Sequence, residues 1–163
     1  MSLDALPWDA RVIAAALQHG GGRLYVGGKT DDRTTDCVRL TYAVLLALYG
    51  ARVEAERAAL MLYDPSRPWS PPEAVHRLGI GKLVDAVQPG CWHLVQGWVS
   101  LSPLSDGHGF LWYEPMSPLA AGTGVQVQAN SAPGSFVEDG QTFVEQVARY
   151  TAGVRIAVLF AEP

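Results

Sequence analysis

The stretch Gly22–Gly50, GRLYVGGKTDDRTTDCVRLTYAVLLALYG, decides how the rest of the chain is read. It has three parts. Leu24-Tyr25-Val26 is short and apolar, and Gly27-Gly28 breaks it. A polar loop follows from Lys29 to Asp36, and then an apolar run opens on Cys37. Thr34, Thr35 and Asp36 are all acceptable helix N-caps, nothing from Val38 to Tyr49 breaks a helix, and Gly50 is a good residue to stop on. The pattern therefore predicts a helix over Cys37–Tyr49, apolar nearly all round and so buried on most sides. Cys37 falls in its first turn. Free backbone N–H groups and the positive end of the helix dipole favour a thiolate there, and a thiol of ordinary pKa, about 8.5, can fall by one to several units. A thiolate is a nucleophile, which raises the question of whether the chain also supplies a base.

Outward from this helix, Trp8–His19 carries Ala, Ile, Val and Leu at helical spacing and ends on Gly20-Gly21-Gly22. Val53–Tyr63 reads as an amphipathic helix with Glu54, Glu56 and Arg57 on its wet side. Asp64–Pro72, DPSRPWSPP, is a rigid proline-rich connection, and Glu73–Leu78 a short helix begun by Pro71-Pro72 and closed by Gly79. From Leu83 the period changes. Pro89-Gly90 makes a turn, and Cys91–Leu101, Gly109–Glu114 and Gly124–Asn130 are short, rich in Val, Trp, Tyr or Phe, and bounded by turn residues, as antiparallel strands are. Thr142–Tyr150 fits a helix and Val154–Phe160 a final buried strand. Helices precede strands, so the fold class expected is α+β, N-terminal helices packed on a mostly antiparallel sheet, in one domain spanning 1–163.

The composition supports a packed core: of 163 residues, 48% are hydrophobic and 17% charged. A net charge of −4 gives no electrostatic case for nucleic acid, and no basic amphipathic segment or span-length apolar run points to a membrane. The N-terminus lacks the basic start and apolar core of a secretory signal, so the chain is expected to be cytoplasmic as synthesised. Two cysteines, Cys37 and Cys91, make no disulfide framework, and free thiols in a reducing compartment are the default.

His108 is the candidate base. It lies between two glycines at the mouth of an apolar strand, in Ser105-Asp106-Gly107-His108-Gly109-Phe110, where an exposed turn histidine is the competing reading. An imidazole of near-neutral pKa can take a thiol proton and later protonate a leaving amine. A third group should accept the other imidazole N–H. Asn130 is the first choice because it ends the next strand; Gln128, two residues back, is the substitute, and Asp106 sits close in sequence but in the same turn. Tyr25 is either a core aromatic or a hydroxyl that polarises a substrate carbonyl. Cys91 and His93 form a C-x-H pair that lacks the close spacing of a zinc half-site, so no metal is expected. Gly22–Thr30, GRLYVGGKT, is no phosphate loop, because Gly28 stands where the lysine belongs.

Tyr25-Val26-Gly27-Gly28, a polar loop and then Asp36-Cys37 opening a helix resemble the motif of NlpC-type cysteine peptidases, as do Gln88-Pro89-Gly90-Cys91 leading into a strand and Gly107-His108-Gly109-Phe110-Leu111. The resemblance covers roughly Leu24 to Asn130. Val38-Arg39 stand where that family has Ser-Gly, and Cys91 where its turn carries Asp. The resemblance implies a papain-like core and hydrolysis of amide bonds in bacterial cell-wall peptides. It also implies Cys37 as nucleophile, His108 as base, Asn130 as the orienting residue, and Tyr25 with the Cys37 N–H as oxyanion donors. No cofactor is implied; the partner is a peptide substrate, with a phage tail or secretion machine as a route of delivery. Two rivals share the scaffold: a thiol acyltransferase or transglutaminase-like enzyme using the same residues, and a non-catalytic phage-tail or binding module.

Overall fold

The helix that opens on Cys37 organises the packing. Asp36, in extended backbone, caps it by accepting a hydrogen bond from the Arg39 N–H at 2.8 Å, and Gly50 ends it at φ 78°, a conformation costly for residues with a Cβ. The computed structural model describes residues 2–20, 24–25, 34–116, 123–129 and 135–162. In it this helix, α2, spans Cys37–Tyr49, and α1 spans Trp8–Gly20 and packs against it. Leu40, Val44, Leu45 and Leu48 of α2 are buried, each apolar side chain worth roughly 1.5–3 kcal/mol.

The sheet behind α2 has six strands, all pairs antiparallel: β3 (Gly81–Val84), β4 (Trp92–Trp98), β5 (Gly107–Tyr113), β6 (Thr123–Ala129), β7 (Ser135–Thr142) and β8 (Gly153–Leu159), in the order β3-β8-β4-β5-β6-β7. The α+β expectation is met. Strand alternation splits the core in two. One face carries Trp92, Leu94, Leu111, Val127, Ala157 and Leu159 and packs on α1 and α2. The other carries Val95, Phe110, Trp112 and Ile156 and is covered by Tyr150, Phe143 and Val147. Both faces of β4 are therefore buried along its whole length.

The structure corrects several boundaries. The expected helix over Val53–Tyr63 is a 3-10 segment, Ala51–Glu56, followed by a single α turn, α3 (Arg57–Leu60). Val53 and Leu60 both point into the core, and nothing in the local sequence explains the change of helix type. Helix α4 runs Ser70–Arg77 with proline in its first turn, as the sequence suggested within a few residues. The strand expected over Cys91–Leu101 stops at Trp98, because the Val99 N–H bonds the Asp106 carbonyl and the chain turns. Within the loop expected at Lys29–Asp36, Thr34–Thr35 (β2) pairs in parallel with Leu24–Tyr25 (β1). β7 is a strand the sequence did not predict, and the helix expected over Thr142–Tyr150 shrinks to α5, Phe143–Val147, opened by a Thr142–Glu145 capping box. No helix among the described residues is long and apolar enough to cross a membrane.

Candidate active site

Cys37 is buried, 4% exposed, and sits where the first turn of α2 meets the edge of β5. Its sulfur accepts from the backbone N–H of Gly109, with the Val38 N–H and its own also favouring the thiolate. Asp36 is engaged elsewhere: besides the cap, it holds Arg39 through Nη1–Oδ2 at 2.7 Å. The Cys37 carbonyl accepts from Thr41 Oγ1 at 2.7 Å.

The acidic thiol expected from the helix start is not what the structure gives. Burial pushes the Cys37 thiol up to about 11, and the Asp36 carboxylate adds to the rise; the Gly109, Val38 and Cys37 N–H groups pull the other way and lose. A helix terminus offers partial charges, whereas desolvation penalises a full one. Cys37 is therefore protonated at neutral pH in this structure.

His108 is a strand residue, 8% exposed, and not an exposed turn histidine. It lies opposite Gly97 of β4, and its ring stacks on Phe110 with centroids 5.5 Å apart. Alternation puts its side chain on the Phe110 and Trp112 face, away from α2, while the Cys37 contact is on the strand's edge one residue later. The structure thus brings Cys37 to the strand that carries His108. Asp106 is exposed just before β5. Asn130 and the side chains of Gln128 and Tyr25 lie outside the described residues, although the backbone of Gln128 pairs with Phe136.

The residues weighed for zinc are committed elsewhere. His93 is fully buried, its Nε2 accepting from the Gln88 N–H at 2.8 Å and its Nδ1 facing the Trp112 carbonyl at 3.3 Å, while Cys91 Sγ reaches the Pro89 carbonyl. Among the described residues, no group of His, Cys, Asp and Glu is placed to hold a metal ion.

Sequence reasoning missed two side chains beside this site. The Tyr63 hydroxyl accepts from the Gly107 N–H at 2.6 Å and donates to the Gly107 carbonyl at 3.0 Å, while its ring stacks on Trp98 at 4.8 Å. Partial burial raises its pKa above the ordinary tyrosine value, and negative charge on Cys37 adds to the rise, which puts the two side chains in one electrostatic neighbourhood. Gln96, directly opposite Gly109 on β4, is fully buried with both amide atoms unpaired. A Cβ on Gly109 would meet Gln96 Oε1 at 2.8 Å and Val38 Cγ1 at 3.5 Å, so the bare glycine face is what lets the amide and the first turn of α2 close over β5. No local signal identifies either residue: Tyr63 ends an amphipathic run, and Gln96 is one polar residue in an apolar strand. No family model, no curated protein and no solved structure matches this chain.

Proposed function

We propose that the chain is a papain-like cysteine amidase or endopeptidase acting on amide bonds of bacterial cell-wall peptides, with Cys37 as nucleophile and His108 as base. The observation that carries this reading is the seat of the Cys37 sulfur. It lies in the first turn of a capped helix and on the N–H of Gly109, the residue after His108. Because the thiol rests protonated, activation is by general base and not by a standing thiolate. For this the His108 ring has to turn from the Phe110 face round the β5 edge to the sulfur; there it takes the thiol proton as sulfur attacks the amide carbonyl, the C–N bond breaks, the amine leaves with that proton, and an acyl-enzyme remains. Water then gives a proton to His108, adds to the thioester, and releases the carboxylate and the thiol. Asn130 orients the imidazole in this reading. The Cys37 N–H and Tyr25 serve the oxyanion.

The test is release of new amino groups from purified cell-wall stem peptides by the full chain. Cys37→Ala and His108→Ala should each lower turnover by about a thousandfold or more, as removal of a nucleophile or its base does elsewhere. Cys37→Ala retaining turnover would end this reading. The burial of Cys37 favours one rival, a module that keeps the scaffold without turnover. In that case the wild-type chain releases nothing from any stem peptide, and Cys37→Ala leaves its binding partner bound.

A further inference from the structure

The sheet face that carries Phe110 and Trp112 is not covered along its whole length. At its Glu114 end a cavity of about 430 Å³ opens between the segment after β3, the end of β5, the start of α5 and Ile156 of β8. Its lining includes Asp85, Val87, Glu114, Phe143, Val144 and Ile156, and all of it falls within the described residues. The pairing explains the hollow. Val84, opposite Ile156, is the last β3 residue paired with β8, and the chain leaves the sheet at Asp85. The cover on the other side is α5, which has only five residues. Its Phe143 packs on Trp112, edge to face with ring centroids 5.6 Å apart, and the space between that ring and Val87 stays open. The cavity is remote from Cys37: from Gly109, whose N–H meets the sulfur, to Glu114 is about 17 Å at strand spacing.

The lining has one chemical bias. Val87, Phe143, Val144 and Ile156 make it chiefly apolar, and its volume lies in the range of small-molecule sites, roughly 300–1,000 Å³. Two carboxylates stand in it, and no lysine, arginine or histidine does. Neither carboxylate forms an ion pair with a described residue. Glu114 is held in place, its Oε2 accepting from Trp112 Nε1 at 2.8 Å, which leaves Oε1 for a ligand. Asp85 is exposed at the rim. The start of α5 offers nothing to an anion, because Thr142 and Glu145 cap it reciprocally. Two negative charges beside an apolar wall repel each other, and a bound cation relieves both. We infer that this cavity is a binding site for a small organic cation: a protonated primary amine on an apolar body, its ammonium held by Glu114 and Asp85 and its apolar part against Phe143, Val87 and Ile156. An ammonium has three N–H donors and can serve both carboxylates at once, with charge-assisted hydrogen bonds. The inference is independent of the amidase reading, since neither Cys37 nor His108 lines the cavity.

The experiment titrates the full chain with phenethylamine at neutral pH and follows it by amide NMR. The N–H signals of Ala86, Val87, Glu114 and Phe143 are expected to shift and saturate together, with a Kd of about 1 mM or tighter, as a ligand of that size can reach. Phenethyl alcohol, which keeps the ring and lacks the charge, is expected to bind about tenfold more weakly, and phenylacetate more weakly still. Glu114→Gln keeps an acceptor for Trp112 Nε1 and removes the charge. It is expected to weaken the amine about tenfold and to leave the alcohol unchanged, and exposed Asp85→Asn should act in the same direction. Cys37→Ala is expected to bind the amine as the parent does. Equal binding of amine and alcohol by the parent chain would overturn the inference without recourse to any variant. So would saturable shifts confined to residues outside the cavity, the absence of any saturable shift, or loss of binding in Cys37→Ala.

Discussion

The protonation state of Cys37 can be measured directly. Burial raises its thiol from 9.0 to about 11, which corresponds to roughly 3 kcal/mol of preference for the protonated form in the folded chain. The folded state holds this proton more tightly than the unfolded state. Its contribution to stability is therefore complete below pH 9 and is lost as pH rises from 9 through about 11. Two readouts follow. Iodoacetamide labelling of the native chain, followed by mass spectrometry from pH 6 to 11, should show Cys37 reacting with a midpoint well above the ordinary thiol value of about 8.5. Urea unfolding at pH 8 and pH 10.5 should show that Cys37→Ala loses less stability than the parent over that interval, by a fraction of the full 3 kcal/mol. The comparison with Cys37→Ala is needed because Tyr150, pushed up to about 12 chiefly by burial, and Tyr49, pushed upward for the same reason, destabilise the folded chain in alkali with the same sign. A Cys37 midpoint at or below the ordinary thiol value of about 8.5 would refute the argument. It would mean that the α2 terminus outweighs burial, and that the proposed amidase would work from a standing thiolate.

Two further outcomes test the packing around the sheet. Burial lowers the pKa of His93 below the ordinary 6.5, because a charged ring there loses its hydration, and a cation would also have to give up the Gln88 N–H bond to Nε2; the chain should be at full stability above pH 6.5 and lose it as pH falls further, and unfolding between pH 7 and 5 in the parent and in His93→Gln should differ in slope, equal slopes contradicting the assignment. Gln96→Met replaces an amide with two unpaired buried atoms by an apolar chain of similar size, so thermal unfolding should move upward by an amount equivalent to roughly 1–3 kcal/mol, and a lowered midpoint would show that the amide is satisfied after all.

The helices at the start of the chain were legible because their signals are local. Asp36 caps, Gly50 stops, and no residue between them objects, so α2 falls on Cys37–Tyr49 as read. The strands β4, β5, β6 and β8 were legible from short apolar runs between turn residues, to within a few residues at each end. β7 was not, because Ser135-Phe136-Val137-Glu138-Asp139-Gly140-Gln141-Thr142 is polar and glycine-bearing, and its strand state comes from pairing with β6. The choice of Cys37 needed only the helix start. Its ionisation needed the third dimension, since the terms that decide it are the cover over the sulfur and the Gly109 N–H, neither of them written near residue 37. Tyr63 was illegible for the same reason: its partner Gly107 is 44 residues away.

The two glycines around His108 allowed two readings, an exposed turn or the mouth of a strand, and the fold takes the second. Taken alone, Gly107-His108-Gly109 suggests a mobile turn that leaves an imidazole in water. In the fold the glycines are strand residues whose bare Cα atoms receive neighbours from the α2 side. A Cβ on Gly107 would meet the Trp98 ring at 2.6 Å, and one on Gly109 would meet Gln96 Oε1 at 2.8 Å. Trp98 carries Tyr63, and Gln96 lies under Val38 in the first turn of α2. Each glycine thus lowers one element onto the strand: Gly107 admits the ring pair that brings the Tyr63 hydroxyl to the edge, and Gly109 admits the helix start that brings the Cys37 sulfur there. A side chain at either position would lift its element away from the strand, whereas the His108 side chain leaves by the opposite face and keeps its stacking on Phe110. The juxtaposition of thiol, phenol and imidazole along three residues of one strand therefore depends on side chains that are absent at 107 and 109 as much as on those that are present at 37, 63 and 108.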